Sequence, residues 1–134
     1  MSQTTILSEC SRQLNNPQGV IQSPDYPQTY PPGKDCVWQI NAPSGFRIKV
    51  QFSEFHLREV DSSRGCLDFL EIREGDLPLS KFTGRYCGRN NPGEMVLPTN
   101  KLRLSFHSQE GQSDRPIGFH GRYQFIGKLI MRVS

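Results

Sequence analysis

The chain has no apolar run approaching the length of a membrane helix, so no membrane insertion is expected of it. It has no Cys-x-x-Cys pair, and its 3 histidines lie far from any zinc-like spacing. It has no strong excess of charge either. Its 16 basic residues face 13 acidic ones, and a dispersed net charge of +3 argues against nucleic acid as a partner. No Asn-x-Ser/Thr sequon is present, so N-glycosylation is not expected. The opening Met1-Ser2-Gln3-Thr4-Thr5 lacks the basic and apolar regions of a secretory signal. For a secreted protein, that reads as a trimmed or recombinant start.

Catalytic chemistry is equally sparse. His56, His107 and His120 sit on or beside strand candidates, where a lone histidine is usually a surface or satisfied residue. Gly111-Gln112-Ser113-Asp114 lacks the strand–Gly-x-Ser-x-Gly–helix setting of a nucleophile elbow. Gly118-Phe119-His120-Gly121 falls within a strand and cradles no phosphate. The expectation is that the chain is not an enzyme.

What is present is a disulfide-type, β-rich pattern. At 134 residues the chain is long enough for one domain with a real core, and its 34% apolar content includes 8 Phe, 4 Tyr and 1 Trp. Gly 12 and Pro 10, spread along the sequence, favour short strands joined by tight turns over long helices. Cys10, Cys36, Cys66 and Cys87 are even in number and widely spaced, which indicates two disulfides and an oxidising compartment. Three pairings are possible. Sequence order favours Cys10–Cys36 and Cys66–Cys87, which link neighbours.

Strand candidates follow one another along the chain. Val20-Ile21-Gln22-Ser23 comes first, then the loop 24–33, in which four prolines forbid regular pairing and Tyr26 and Tyr30 serve as pins. Alternation then marks Cys36–Ile40, Ile48–Phe52, Leu70–Ile72, Leu102–Phe106 and Phe119–Phe125. Arg73-Glu74-Gly75-Asp76 supplies a turn toward a further short strand at Lys81-Phe82-Thr83, so that Cys66 and Cys87 bracket a hairpin-like unit. About eight one-faced strands need two sheets, hence an all-β, two-sheet antiparallel β-sandwich. The expected inward set is Val20, Trp38, Ile40, Ile48, Val50, Phe52, Leu70, Ile72, Leu102, Leu104, Phe106, Phe119, Tyr123 and Phe125. Residues 1–9 are expected to be an N-terminal extension, 10–126 the domain, and 127–134 a C-terminal extension or linker stub.

Taken in order, Cys10, Gly19-Val20-Ile21-Gln22-Ser23-Pro24-Asp25-Tyr26-Pro27, Tyr30-Pro31 and Cys36-Val37-Trp38 resemble the opening of a CUB domain. Phe52, Phe55-His56-Leu57, Cys66, Asp68-Phe69-Leu70-Glu71-Ile72, Gly75, Tyr86-Cys87-Gly88, Gly118-Phe119 and Tyr123 continue the resemblance to about residue 125. It implies a jelly-roll-like sandwich with the disulfide pairing favoured above. It further implies an extracellular protein-binding module, cut from a larger secreted or membrane-anchored protein, whose partners are extracellular proteins or neighbouring domains.

Many CUB domains carry a calcium site built from three acidic residues in the loops at one end. By resemblance, Asp68 fills the middle position, with a gap from Cys66 one residue shorter than usual. Arg58 stands where a Glu is common, with Glu59 one step on, and Gln109 stands where an Asp is common. Calcium needs several oxygen ligands, so no cofactor is expected; a site rebuilt by loop shift would draw on Glu59, Asp68 and Asp114. Arg58 is expected to meet Asp68 directly, and the domain to be independent of calcium. The ligand-binding candidates are Arg58, Glu59, Asp68, Gln109 and Asp114. The alternative readings are a calcium-dependent module and a heparin or glycan binder, the latter using Lys34, Arg58, Arg64, Arg85, Arg89 and Arg115 as a basic patch.

Overall fold

A computed structural model of the chain describes residues 9–111 and 114–127. Of the terminal extensions expected from the sequence, all but Glu9 and Gly127 lie outside the described residues. The described residues form nine strands: β1 (Arg12–Leu14), β2 (Gln18–Gln22), β3 (Asp35–Asn41), β4 (Arg47–His56), β5 (Phe69–Glu74), β6 (Lys81–Tyr86), β7 (Glu94–Leu97), β8 (Lys101–His107) and β9 (Gly118–Ile126). They form a five-stranded sheet in the order β1-β3-β8-β5-β6 and a four-stranded sheet in the order β2-β9-β4-β7. The described residues contain no helix. All pairings are antiparallel except β1 with β3, which run parallel.

The core follows from alternation. On β8, Leu102, Leu104 and Phe106 are buried while Lys101, Arg103, Ser105 and His107 are not. Cys36, Trp38 and Ile40 on β3 and Leu70 and Ile72 on β5 complete that layer, and Ile48, Val50 and Phe52 on β4 face it from the other sheet. The two layers meet on Phe119, which is fully buried. Its ring centroid lies 5.4 Å from Phe106, 5.8 Å from Trp38 and 5.9 Å from Phe52. Such edge-on contacts add to the apolar burial itself. Gly118 just before it has φ +96, and a Cβ there would lie 1.9 Å from the Ser23 hydroxyl. That hydroxyl instead accepts the Phe119 N–H at 3.0 Å.

Three departures from expectation have local causes. Val20 is 44% exposed and Ile21 is fully buried, so β2 has the opposite parity. Gly19, against the Tyr123 ring, occupies the inward position before Ile21, and a one-residue slip flips every side chain of a strand. Strand β4 runs past Phe52 to His56 because the register shifts between Phe52 and Glu54, placing Phe52 and Phe55 both inward despite their odd spacing. Phe125 is only partly buried, packing beside Phe46 at the end of the sandwich. β1 and β7 are short edge strands whose mixed polar sequences carry little period-two signal.

Both disulfides pair neighbours, Cys10 with Cys36 and Cys66 with Cys87, at Cα separations of 5.2 Å and 5.9 Å. The second spans the base of the β5–β6 hairpin, as the bracketing cysteines suggest.

Candidate functional site

Strand β8 ends, and β3 and β5 begin, at one end of the sandwich, as the His107–Asp35 and His107–Phe69 pairings fix, and Arg58, just past the end of β4, reaches Asp68 and Tyr30 there. That end gathers the connections 23–34 and 57–68 with residues 108–111 and 114–117. Asp68, the residue before β5, sits beneath them with no solvent exposure at all.

A fully buried carboxylate requires partners, and Asp68 draws them from each of these connections. Its Oδ2 accepts the Tyr30 hydroxyl at 2.7 Å and lies 3.5 Å from Arg115 Nε. Its Oδ1 accepts the Gln109 backbone N–H at 2.8 Å and lies 3.8 Å from Arg58 Nη1. Tyr30 closes the circuit, since its oxygen also accepts the Arg58 backbone N–H at 3.0 Å. Burial first, and the bond to Asp68 next, push the Tyr30 phenol well above the ordinary tyrosine pKa. It is therefore a proton donor at any physiological pH. Arg115 donates in turn to the carbonyls of Gln109 and Gly111, tying its own loop inward.

Further bonds stiffen this end. Buried Ser108 bonds through its hydroxyl to the Pro31 carbonyl at 2.8 Å and accepts the Lys34 N–H at 2.9 Å. The 57–58 backbone is laced to Gly88 by Leu57 N–H to Gly88 O at 2.8 Å and Gly88 N–H to Arg58 O at 3.0 Å. The tip at 61–65 closes on itself: Asp61 Oδ1 accepts the Ser63 hydroxyl, the Ser63 N–H and the Arg64 N–H at 2.8 to 3.0 Å. These bonds, led by the Ser63 hydroxyl, hold the Asp61 carboxyl down at about 2.

The expected site residues thus divide into a brace and a rim. Asp68 is too deeply buried to touch a partner, and Arg58 is largely turned toward it, with 19% side-chain exposure. Gln109 contributes its backbone N–H to the brace. Glu59 and Asp114 are exposed, and Val60 beside Glu59 is 59% exposed. Glu59, Asp68 and Asp114 do not converge: the described residues contain no group of three or more His, Cys, Asp or Glu placed to hold a metal.

Two residues play parts the sequence did not assign. Tyr30 was legible as a pin for the proline-rich loop, but not as the partner of Asp68. Arg115, expected in a surface basic patch, has only 3% side-chain exposure against Asp68. Flanked by Asp114 and Pro116, it carries no local signal of burial. Others of that patch are already committed, Arg58 to Asp68, Arg64 to Asp61 at 3.4 Å and Arg85 to Glu71 through its Nε at 2.7 Å.

The histidines are dispersed. His107 Nδ1 lies 2.7 Å from Asp35 Oδ1, His120 Nδ1 lies 3.0 Å from Gln22 Oε1, and His56 Nε2 lies 4.0 Å from Glu59.

A sequence model of the family described as CUB domain matches residues 10–123. Tolloid-like protein 1 of Homo sapiens is 39% identical over 102 residues, covering 75% of this chain and 10% of that relative. The full extracellular region of zebrafish Gpr126/Adgrg6 contains a similar fold, with TM-score 0.75 and 29% identity over 88% of this chain and 15% of that one. The MASP-1 CUB2 domain bound to Ca2+ is similar at TM-score 0.71 and 27% identity, covering 84% of this chain and 96% of that one. The chain therefore spans only a small part of the curated relative's length.

Proposed function

The chain belongs to the CUB domain family, and we propose that it binds protein partners through the rim above Asp68. CUB domains are non-catalytic modules of larger extracellular proteins, and this chain is an extracellular module of that kind. The observation that carries the binding reading is the brace. One buried carboxylate fastens 30, 58, 109 and 115 together, so the rim is shaped before any partner arrives. A pre-shaped rim loses less conformational freedom on binding than a loose one. Loops on a rigid sandwich also vary without disturbing its core, which is why sites concentrate there.

Glu59 and Val60 are the cleanest probes, because they are exposed and outside the brace. Leu79, 92% exposed in the β5–β6 turn at the opposite end of β5, is the control. The immobilised protein is used to capture proteins from extracellular extract. Glu59→Arg with Val60→Asp is expected to lose the captured species and to keep the parent's melting temperature, whereas Leu79→Ser keeps both. Capture that survives the double substitution and fails with Leu79→Ser would put the binding face at the other end.

A further inference from the structure

We infer that the Arg58 guanidinium occupies the place at Asp68 where related domains hold calcium, so that this rim is assembled without a metal ion. The inference deepens the binding reading, on which it rests for the role of the rim.

The donor set decides it. A calcium ion takes six to eight oxygen ligands, roughly 2.3 to 2.6 Å away, most of them carboxylates, carbonyls or water. Around Asp68 the neighbouring groups offer protons instead of lone pairs: the Tyr30 O–H, the Gln109 N–H and two guanidiniums. The Tyr30 lone pair is itself engaged by the Arg58 N–H. Among the described residues Glu59 and Asp114 are exposed, and no group of three or more His, Cys, Asp or Glu gathers to hold a metal. Calcium does not fit this arrangement.

The two oxygens of Asp68 have different surroundings. Oδ2 faces Tyr30 and Arg115, and Arg115 also spends hydrogen bonds on the 109 and 111 carbonyls, so it is anchored within its own loop. Oδ1 faces Arg58 and the start of the 109 loop. Positions 58 and 109, where the resemblance to calcium-binding CUB domains implies further acids, both lie on this Oδ1 side. Charge at Oδ1 is therefore neutralised by a side chain that one substitution removes. A dication brought there would instead be repelled by a fixed positive charge a few ångströms away.

The test compares thermal midpoints in millimolar calcium and in chelator, on the protein alone, so that it is independent of whether any partner binds. The parent is expected to melt at the same temperature in both, and calorimetric titration with calcium to show no heat. Arg58→Glu with Gln109→Asp is expected to melt lower than the parent in chelator and to rise by several degrees in calcium, since binding to the folded state alone raises the midpoint. Should that double variant fail to fold in either buffer, Arg58→Gln removes the charge and keeps a polar, though shorter, side chain. It is expected to melt below the parent equally in both buffers. A calcium-dependent rise in the parent, a folded double variant indifferent to calcium, or an Arg58→Gln protein as stable as the parent would each overturn the inference.

Discussion

Tyr30 donates its hydroxyl to Asp68 across 38 positions of sequence, and both groups are buried. The proline-rich loop is thereby hung on the residue that opens β5. Tyr30→Phe keeps the ring against Phe106, 5.2 Å away, and removes only the oxygen. It leaves Asp68 and the Arg58 N–H each short of a partner, so chemical denaturation should show a loss of about 2 to 3 kcal/mol. An unchanged denaturation midpoint would mean the hydroxyl carries none of the brace.

Asp68→Asn is the harsher change. It removes the counter-charge of Arg115, which is almost wholly buried. Breaking one side of a buried pair costs about 3 to 5 kcal/mol, so this variant should be much less stable than Tyr30→Phe. Equal stability of the two would assign the brace to hydrogen bonding alone.

Trp38 has 5% exposure on β3 and meets Phe119 edge-on. Its fluorescence should be that of an indole out of water, and Trp38→Ala should cost about 3 to 5 kcal/mol. Red-shifted emission in the native protein would contradict its place in the core.

Mass mapping should return Cys10–Cys36 and Cys66–Cys87 with no titratable thiol. Closing loops of 26 and 21 residues is worth about 3.5 kcal/mol each in the chain-entropy account, so reduction should lower stability sharply. Crossed bridges would be incompatible with the β5–β6 hairpin.

The tip at 61–65 responds to acid. Asp61 is depressed to about 2 by the Ser63 hydroxyl and the two N–H groups, so its contribution is complete above the ordinary carboxylate range. That contribution fades as pH falls from there toward about 2. Carboxyl NMR should report the low value for Asp61, and Ser63→Ala should raise it. A Ser63→Ala protein with an unmoved Asp61 would assign the depression to other groups.

Much of this was readable beforehand, and the exceptions share a cause. Alternation on β3, β4, β5 and β8 identified the inward residues because each strand has one apolar face and flanking turns. It failed at Val20, where two adjacent aliphatics leave parity open and Gly19 decides it only through its contact with Tyr123. It stopped short on β4, where a bulge breaks the period. At the candidate site, the substitutions at 58 and 109 were visible and the Arg58–Asp68 approach followed from them. Arg115 was not visible, because nothing local distinguishes a cation bound for a buried carboxylate 47 residues away from one that faces water. Arg58, a binding candidate from the sequence, belongs to the brace, so an alanine there would lose stability as well as rim.

The most direct measurement is native-state hydrogen exchange at the Gln109 amide, read by NMR in buffer containing chelator. This N–H donates to a carboxylate that is wholly buried, and the strand β8 ends just before it. If Asp68 is held by Tyr30, Arg58 and Arg115 without an ion, the Gln109 amide exchanges slowly in chelator, close to the amides of β8, and calcium changes nothing. If it exchanges at the rate of an open loop in chelator and becomes protected only when calcium is added, the metal assembles the rim and the brace described here does not stand alone.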